Sequence, residues 1–293
     1  MFIERFIRYL QFEKRFSSHT VIAYTHDLNQ FNDFLALQEL DLLSATYHDV
    51  RGWMLDLMDQ GFEAKTVNRK ISVLRSFYKF LQREELTQSN PMAQIRAPKV
   101  PKRLPVVIEE QKLDVLLDSE KSFSDDFGGR RDRLILELLY GTGMRLSELV
   151  GLKDQDVYIY EQYIKVLGKR NKERIIPLGS PLVKLVKEYF QEKLSQNFYN
   201  KAASLIVTNE GKAAYPQFIY RIVKKSLSDI STQHKKSPHI LRHTFATSLL
   251  NKGADLNAIK ELLGHSSLAA TQVYTHNSIE KLKSVYKQAH PKA

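Results

Sequence analysis

The chain has 293 residues, which is long enough for two domains of ordinary size. A formal net charge of +11 favours a polyanionic partner, although many basic proteins bind none. The absence of cysteine excludes disulfides, thiolate metal sites and cysteine nucleophiles, and it fits a reducing cytoplasm. Charges interrupt the apolar N-terminus, and no apolar run of about 18 residues occurs, so we expect a cytoplasmic protein without a membrane contact.

The first 90 residues predict a bundle of helices, because their apolar residues recur at intervals of three and four. A first helix follows the N-terminus, and a second begins near Ser17 and Ser18, either of which is a suitable N-cap. A third ends at Gly61, a residue type that often terminates helices. We therefore expect residues 1–90 to form one helical domain.

The fourth predicted helix, about residues 64–81, carries two distinct stripes. The apolar stripe consists of Val67, Ile71, Leu74, Tyr78 and Leu81. The polar stripe consists of Lys65, Arg69, Ser72, Ser76, Lys79 and Arg83. A solvated helix face usually mixes both signs of charge, whereas no acidic residue lies between Glu63 and Glu84. We predict that Lys65, Arg69, Lys79 and Arg83 bind DNA phosphates, with a merely solvated face as the alternative.

Residues 91–105 contain four prolines, four basic residues and no acidic residue. Prolines at this density preclude a regular helix or a central strand, so the segment is predicted to be a basic linker along a phosphate backbone. Residues 106–293 form the second predicted domain, with 29 basic and 21 acidic residues. Its predicted elements are helices at 109–117 and 131–139, a strand pair at 163–167 and 173–177, and a mostly helical remainder apart from 205–208. The expected fold is mainly α with a small β-sheet.

Nucleotide and metal signatures are weak in this sequence. The turn Gly141-Thr142-Gly143 lacks the third glycine of a dinucleotide-binding loop. His239 and His243 have the spacing of zinc ligands on a helix, but Arg242 lies between them, and a guanidinium beside a dication is unfavourable. We therefore expect no metal and no cofactor.

An anion site is predicted instead. His239 and Arg242 are three residues apart and project from one helix face. Arg145 stands where a helix opens after a glycine turn, a position at which backbone N–H groups also bind phosphate. His265 follows a glycine turn, and Tyr274 comes nine residues later. Each signal is weak alone, because single arginines, histidines and tyrosines usually have structural roles.

Together, these motifs resemble the tyrosine recombinases of the phage integrase superfamily, specifically the Xer family of the XerC/XerD type, over nearly all 293 residues. The motifs are, in chain order, Ser17-Ser18-His19-Thr20 with Tyr24 and Asp27-Leu28, Thr66-Val67-Asn68-Arg69-Lys70, Gly141-Thr142-Gly143-Met144-Arg145, the lysine hairpin at 168–172, His239-Ile240-Leu241-Arg242-His243, Leu263-Gly264-His265, Tyr274-Thr275-His276 and Ala289-His290-Pro291. One departure is that Arg170 stands in the hairpin where a glycine is expected. Lys169 is therefore the better candidate for the hairpin lysine, with Lys172 as the alternative.

The resemblance implies a SAM-like helical core-binding domain and a catalytic domain that close around DNA as a C-shaped clamp. It implies that Tyr274 is the nucleophile, which forms a 3′-phosphotyrosine intermediate. The residues implied to assist it are Arg145, Lys169, His239, Arg242 and His265. These types suit the chemistry, because guanidiniums match phosphate geometry, a phenol with a pKa of about 10 needs activation, and an ammonium can protonate the leaving oxygen.

The implied partners are a double-stranded DNA recombination site, three further subunits in a tetramer of one or two paralogous recombinases, and a DNA translocase as activator. The expected role is the resolution of chromosome dimers at cell division. An integrase or transposase of a mobile element, a catalytically silent DNA-binding protein and a metal-dependent nuclease are the alternatives. Two points stay open: whether the role is that of XerC, toward which the ending at 289–291 leans, or of XerD, and whether residues 279–293 dock on a neighbouring subunit or on their own domain.

Overall fold

The computed structural model describes residues 1–101, 107–168, 172–198, 203–230 and 236–264. The chain divides into two compact units, residues 1–103 and 104–293, and each unit has its own apolar core. None of the described helices is long and apolar enough to cross a bilayer.

The N-terminal unit is helical, as the apolar periodicity predicts. Its helices are α1 (Phe2–Arg8), which continues as a π-helical segment (Tyr9–Glu13), α2 (Ser18–Ala36), α3 (Tyr47–Asp59) and α4 (Ala64–Arg83). Ser17 begins α2 as predicted, because its hydroxyl accepts a hydrogen bond from the Thr20 N–H. Asp49 caps the start of α3 by accepting the backbone N–H of Thr46 at 2.7 Å.

Helix α4 supplies the centre of this core. Every residue of its predicted apolar stripe is buried, and every residue of its polar stripe is exposed, which confirms the amphipathic prediction. The segment predicted to be a linker begins inside the unit, because Met92 and Ile95 are buried in the same core. Arg75 donates a hydrogen bond to the Ile95 carbonyl at 2.6 Å and so fixes this return of the chain over α4.

The second unit combines helices with one small sheet, which confirms the predicted fold class. Its helices are α5 (Glu110–Asp118), α6 (Phe127–Thr142), α7 (Leu146–Gly151), α8 (Ser180–Ser195), α9 (Pro216–Ile230), α10 (Pro238–Asn251) and α11 (Leu256–Leu263). The sheet is antiparallel in the order β1 (Val157–Tyr158), β2 (Tyr163–Leu167) and β3 (Glu173–Pro177). The predicted strand pair has the observed bounds, with Leu167 opposite Glu173 at the hairpin end.

The turn between α6 and α7 is closely packed. Gly143 ends α6 in the left-handed conformation with φ +60°, which favours glycine. A Cβ atom at this position would lie 2.4 Å from the ring of Phe245 on α10 and 2.9 Å from Leu263 on α11. The glycine therefore brings the ends of α6 and α11 together against α10.

Candidate active site

Three arginines from three different elements converge beside this turn. Arg145 is the N-cap of α7, Arg174 lies on β3, and Arg242 lies on α10. Their partners are the carboxylate of Glu148 and the carbonyls at the ends of α6 and α11. Residues distant in sequence are thus gathered into one cationic cluster, which we call the arginine cluster.

Of the two arginines in the cluster that the sequence analysis singled out, Arg242 is the more buried. Its side chain is buried, and it donates to the carbonyls of Gly143 and Leu263, both at 2.6 Å. Burial, together with the nearby charges of Arg145 and Arg174, lowers its pKa to about 10, so the group is still protonated at neutral pH. Because a guanidinium has five N–H donors, these two bonds fix its orientation and leave donors for a ligand.

Arg145 faces solvent more than Arg242 does, with 24% of its side chain exposed. Its Nη1 donates to Glu148 Oε1 at 2.8 Å, and its Nη2 donates to the Gly264 carbonyl at 3.1 Å. Its backbone N–H donates to Glu148 Oε2 at 2.7 Å, which completes the start of α7. The predicted position of Arg145 at a helix opening is confirmed, and its exposed edge is accessible to an anion.

The sequence analysis missed Glu148 and Arg174, which form a buried pair. Arg174 donates from Nη1 and Nη2 to the two carboxylate oxygens of Glu148, each at 2.8 Å, and from Nε to the Leu262 carbonyl at 2.8 Å. Burial alone would raise the pKa of Glu148, but the hydrogen bonds and charge of Arg174 outweigh it and lower the pKa to about 2. The alternation along β3 is a signal that could have found Arg174. Residues two apart lie on the same face of a strand, so Arg174 shares a face with the apolar residue Ile176, which is buried.

His239 lies at the start of α10 and is exposed. Its pKa is lowered from its ordinary value by partial burial and by the charges of His243, Arg242 and Arg145, so the imidazole is mainly neutral at pH 7. The rings of His239 and His243 are stacked with centroids 6.3 Å apart. Within the described ranges, no group of three or more His, Asp or Glu residues is arranged to hold a metal ion.

Three of the predicted site residues, Lys169, His265 and Tyr274, lie outside the described residues. The structure does describe Gly168, which precedes Lys169, and Gly264, which precedes His265. The alternative hairpin lysine, Lys172, is exposed, and its carbonyl accepts the Gly168 N–H at 2.7 Å, which closes the base of the hairpin. The described part of the site therefore consists of Arg145, His239 and Arg242.

The polar face of α4, in the N-terminal unit, is less uniformly cationic than its sequence indicates. Arg69 forms a bidentate ion pair with Asp27, which also binds the buried ammonium of Lys70 at 2.8 Å. Arg83 pairs with Glu84 at 2.8 Å and lies over the ring of Tyr9. In contrast, neither Lys65 nor Lys79 has an ion pair with any residue that the structure describes. The two lysines therefore present the uncompensated charge of this face.

Two protein-family models match the chain. The model described as the phage integrase family matches residues 107–281, and the model described as the phage integrase N-terminal SAM-like domain matches residues 3–85. These matches confirm the family and the SAM-like N-terminal domain that the motifs predict.

Known proteins are similar to the chain over its whole length. The tyrosine recombinase XerC of Chlorobaculum parvum is 38% identical over 99% of this chain and 94% of its own length. The tyrosine recombinase XerD of Staphylococcus saprophyticus is 38% identical over 99% of both chains. The solved XerH recombinase in a post-cleavage complex with its palindromic difH substrate shares the fold, with a TM-score of 0.73 at 22% identity over 96% of this chain and 82% of that chain. These two relatives, named XerC and XerD, have the same identity to the chain.

Proposed function

The chain belongs to the phage integrase family as a Xer-type tyrosine recombinase, and on this premise we propose that it cuts and rejoins double-stranded DNA at a specific recombination site through a 3′-phosphotyrosine intermediate. The observation that carries the proposal is the convergence of Arg145 and Arg242. Arg242 is held by the carbonyls at the ends of α6 and α11, and Arg145 is held by the Glu148 carboxylate and the Gly264 carbonyl after α11. Both guanidiniums retain donors for a phosphate.

The proposed reaction is a transesterification that conserves bond energy. The phenolic oxygen of Tyr274 attacks the phosphorus, the bond from phosphorus to the 5′-oxygen breaks, and that oxygen takes a proton. Arg145 and Arg242 stabilise the negative charge on the two non-bridging oxygens. Lys169, or Lys172 in its place, supplies the proton to the departing oxygen. A 5′-hydroxyl from another strand then attacks the phosphotyrosine and reverses the chemistry, so no nucleotide is consumed.

The attack also releases the phenolic proton of Tyr274, which needs an acceptor. His239 is suited to accept a proton, because burial and the neighbouring cations hold its pKa below the ordinary value and keep it neutral at pH 7. His265 follows Gly264, whose carbonyl binds Arg145, so we assign it a hydrogen bond to the same phosphate. The chain's own cations supply the charge stabilisation that a metal supplies in many nucleases, and we propose that the reaction needs no metal.

The decisive experiment traps the covalent intermediate. The protein is incubated with nicked duplexes that carry candidate recombination sites selected by its own binding, and the mixture is denatured in SDS. We expect a protein–DNA adduct that forms equally in EDTA and is absent for Tyr274→Phe. Tyr160→Phe is the matched control, because Tyr160 is 93% exposed and lies at the β1–β2 turn. An adduct that persists in Tyr274→Phe, or that requires a divalent metal, would refute the mechanism.

We further propose that four subunits act on two duplexes to resolve chromosome dimers at cell division, either as one recombinase or with a paralogue, under control of a DNA translocase. Relatives named both XerC and XerD support this role over the full chain. A chromosomal substrate and a cysteine-free chain also fit the cytoplasm. Cross-linking on site DNA tests the assembly, with a tetramer as the expected product and only monomers as the contrary result.

A further inference from the structure

We propose that Arg174 is a positioning residue for strand cleavage, which fixes Arg145 and the lysine hairpin relative to each other and leaves the charge of Arg145 available to the scissile phosphate. This inference rests on the proposed recombinase function. Arg174 would touch neither the DNA nor the reacting atoms, because it is buried and its three nitrogens bind within the protein.

The geometry shows that Arg174 joins three elements. It lies on β3, binds Glu148 of α7 through two hydrogen bonds, and binds the Leu262 carbonyl near the end of α11. A Cβ atom on Gly264 would lie 3.2 Å from its Cδ and Nη1 atoms, so the αL turn after α11 packs directly on this side chain. Loss of Arg174 would therefore loosen the end of α11, where the chain continues into His265.

The base of the lysine hairpin also rests on the Arg174–Glu148 pair. A Cβ atom on Gly168 would lie 3.7 Å from both Arg174 Nη1 and Glu148 Oε1. The hairpin leaves this point at Gly168 and returns through Lys172 to β3, on which Arg174 is the second residue. The same side chain thus supports the segment that carries Lys169 and the helix that carries Arg145.

Charge provides the second part of the argument. Glu148 binds Arg145 through Oε1 and Arg174 through both oxygens, so its single negative charge is shared. The arginine cluster holds three guanidiniums and one carboxylate, a net charge of +2. Without Arg174, the net charge would fall to +1, and Glu148 would pair with Arg145 alone. Arg145 would then offer less electrostatic stabilisation to the phosphate at the point where negative charge develops.

The test compares Arg174→Met and Arg174→Lys in the full chain on nicked site DNA, with adduct formation in a single turnover and DNA affinity measured separately. We expect Arg174→Met to slow cleavage by about 100-fold, the order of loss that small misplacements cause, while DNA affinity is nearly unchanged. Arg174→Lys should recover part of the rate, because it restores the charge without the bidentate geometry. Arg131→Met is the matched control, since Arg131 is another buried arginine of the same unit, with contacts to Asp132 and Asn209.

A pH profile separates positioning from a general loss of stability. Glu148 is faced by Arg145 on its own helix and by Arg174 from β3, with Arg242 of α10 nearby. Its pKa of about 2 keeps it ionised at every working pH in the wild-type protein. In Arg174→Met, burial remains and the main compensating cation is gone, so Glu148 should titrate within the working range. The cleavage rate of Arg174→Met should then acquire a pH-dependent step that Arg174→Met with Glu148→Gln lacks.

The outcomes are distinguishable. If the wild-type protein forms no adduct, the proposed function fails. If the wild type reacts and Arg174→Met reacts at the same rate per folded molecule, the inference fails. It fails equally if Arg131→Met loses as much activity as Arg174→Met, or if the pH profile of Arg174→Met keeps the shape of the wild-type profile.

Discussion

Replacement of Gly143 by alanine tests whether the packed turn after α6 sets the arginine cluster. The added Cβ atom would lie 2.4 and 2.8 Å from two ring carbons of Phe245 and 2.9 Å from a methyl of Leu263. These distances are too short for real contacts, so Phe245 and the end of α11 must move. The carbonyls of Gly143 and Leu263 would move with them, and both are hydrogen-bond acceptors of Arg242. We therefore expect a loss of both stability and cleavage.

The magnitude follows from two costs. A non-glycine residue at φ +60° costs roughly 1–2 kcal/mol, and overpacking of a tight core costs roughly 1–3 kcal/mol more. Gly143→Ala should thus lower the free energy of unfolding by roughly 2–5 kcal/mol. Gly253→Ala is the matched control, because Gly253 has φ +80° in the same unit but no atom within 4 Å of the added Cβ. The control should show only the backbone cost of roughly 1–2 kcal/mol.

Urea unfolding of the full-length variants measures the stability difference, and adduct formation on nicked site DNA, corrected for the folded fraction, measures cleavage. Gly143→Ala should be less stable than Gly253→Ala and should cleave more slowly per folded molecule. Equal stability and equal cleavage rates in the two variants would refute the argument that close packing at this turn orients Arg242.

Two further predictions concern charge. Lys65→Ala and Lys79→Ala should each flatten the slope of log affinity for DNA against log salt concentration, by about 0.9 for each phosphate that the variant no longer neutralises. Arg69→Ala should flatten this slope by less, because Asp27 already pairs with Arg69. Equal slopes in all three variants would contradict this ranking. Because the pKa of Glu148 is lowered to about 2 in the folded protein, the unfolded chain binds protons first, and stability should fall as the pH decreases from about 5 to about 2. Glu148→Gln should show a shallower decline in chemical denaturation over that range, and an unchanged decline would indicate that other carboxylates cause it.

Local rules made much of the architecture predictable. Ser17 begins a helix and Gly264 ends one because capping depends on a few neighbouring residues. The two strands that flank the lysine hairpin, β2 and β3, were predictable because both strands and the polar turn between them are neighbours in sequence. Asp255 likewise caps α11 through the backbone N–H groups of Asn257 and Ala258.

Pairings between distant residues could not be predicted in this way. Arg174 meets Glu148 across 26 positions of sequence, and Asp27 meets Arg69 across 42, so only the folded core decides these contacts. The spacing on α4 indicated a continuous basic face, but spacing does not show which cations are already neutralised. In sequence, Gly143 indicated only a turn before Arg145, whereas in the structure an added Cβ atom there would lie 2.4 Å from the ring of Phe245 on α10.

The attachment of Arg242 to main-chain carbonyls also bears on how the protein could acquire new targets. Because these carbonyls are main-chain groups at helix ends, they orient Arg242 before any DNA binds. The group that Arg242 would then bind is a phosphate, which every nucleotide has and which therefore carries no sequence information. Discrimination among DNA sequences must then come from other surfaces, such as helix faces that meet base edges. Such surfaces could be redesigned toward another target while the turn at Gly143 and the reaction it supports stay unaltered.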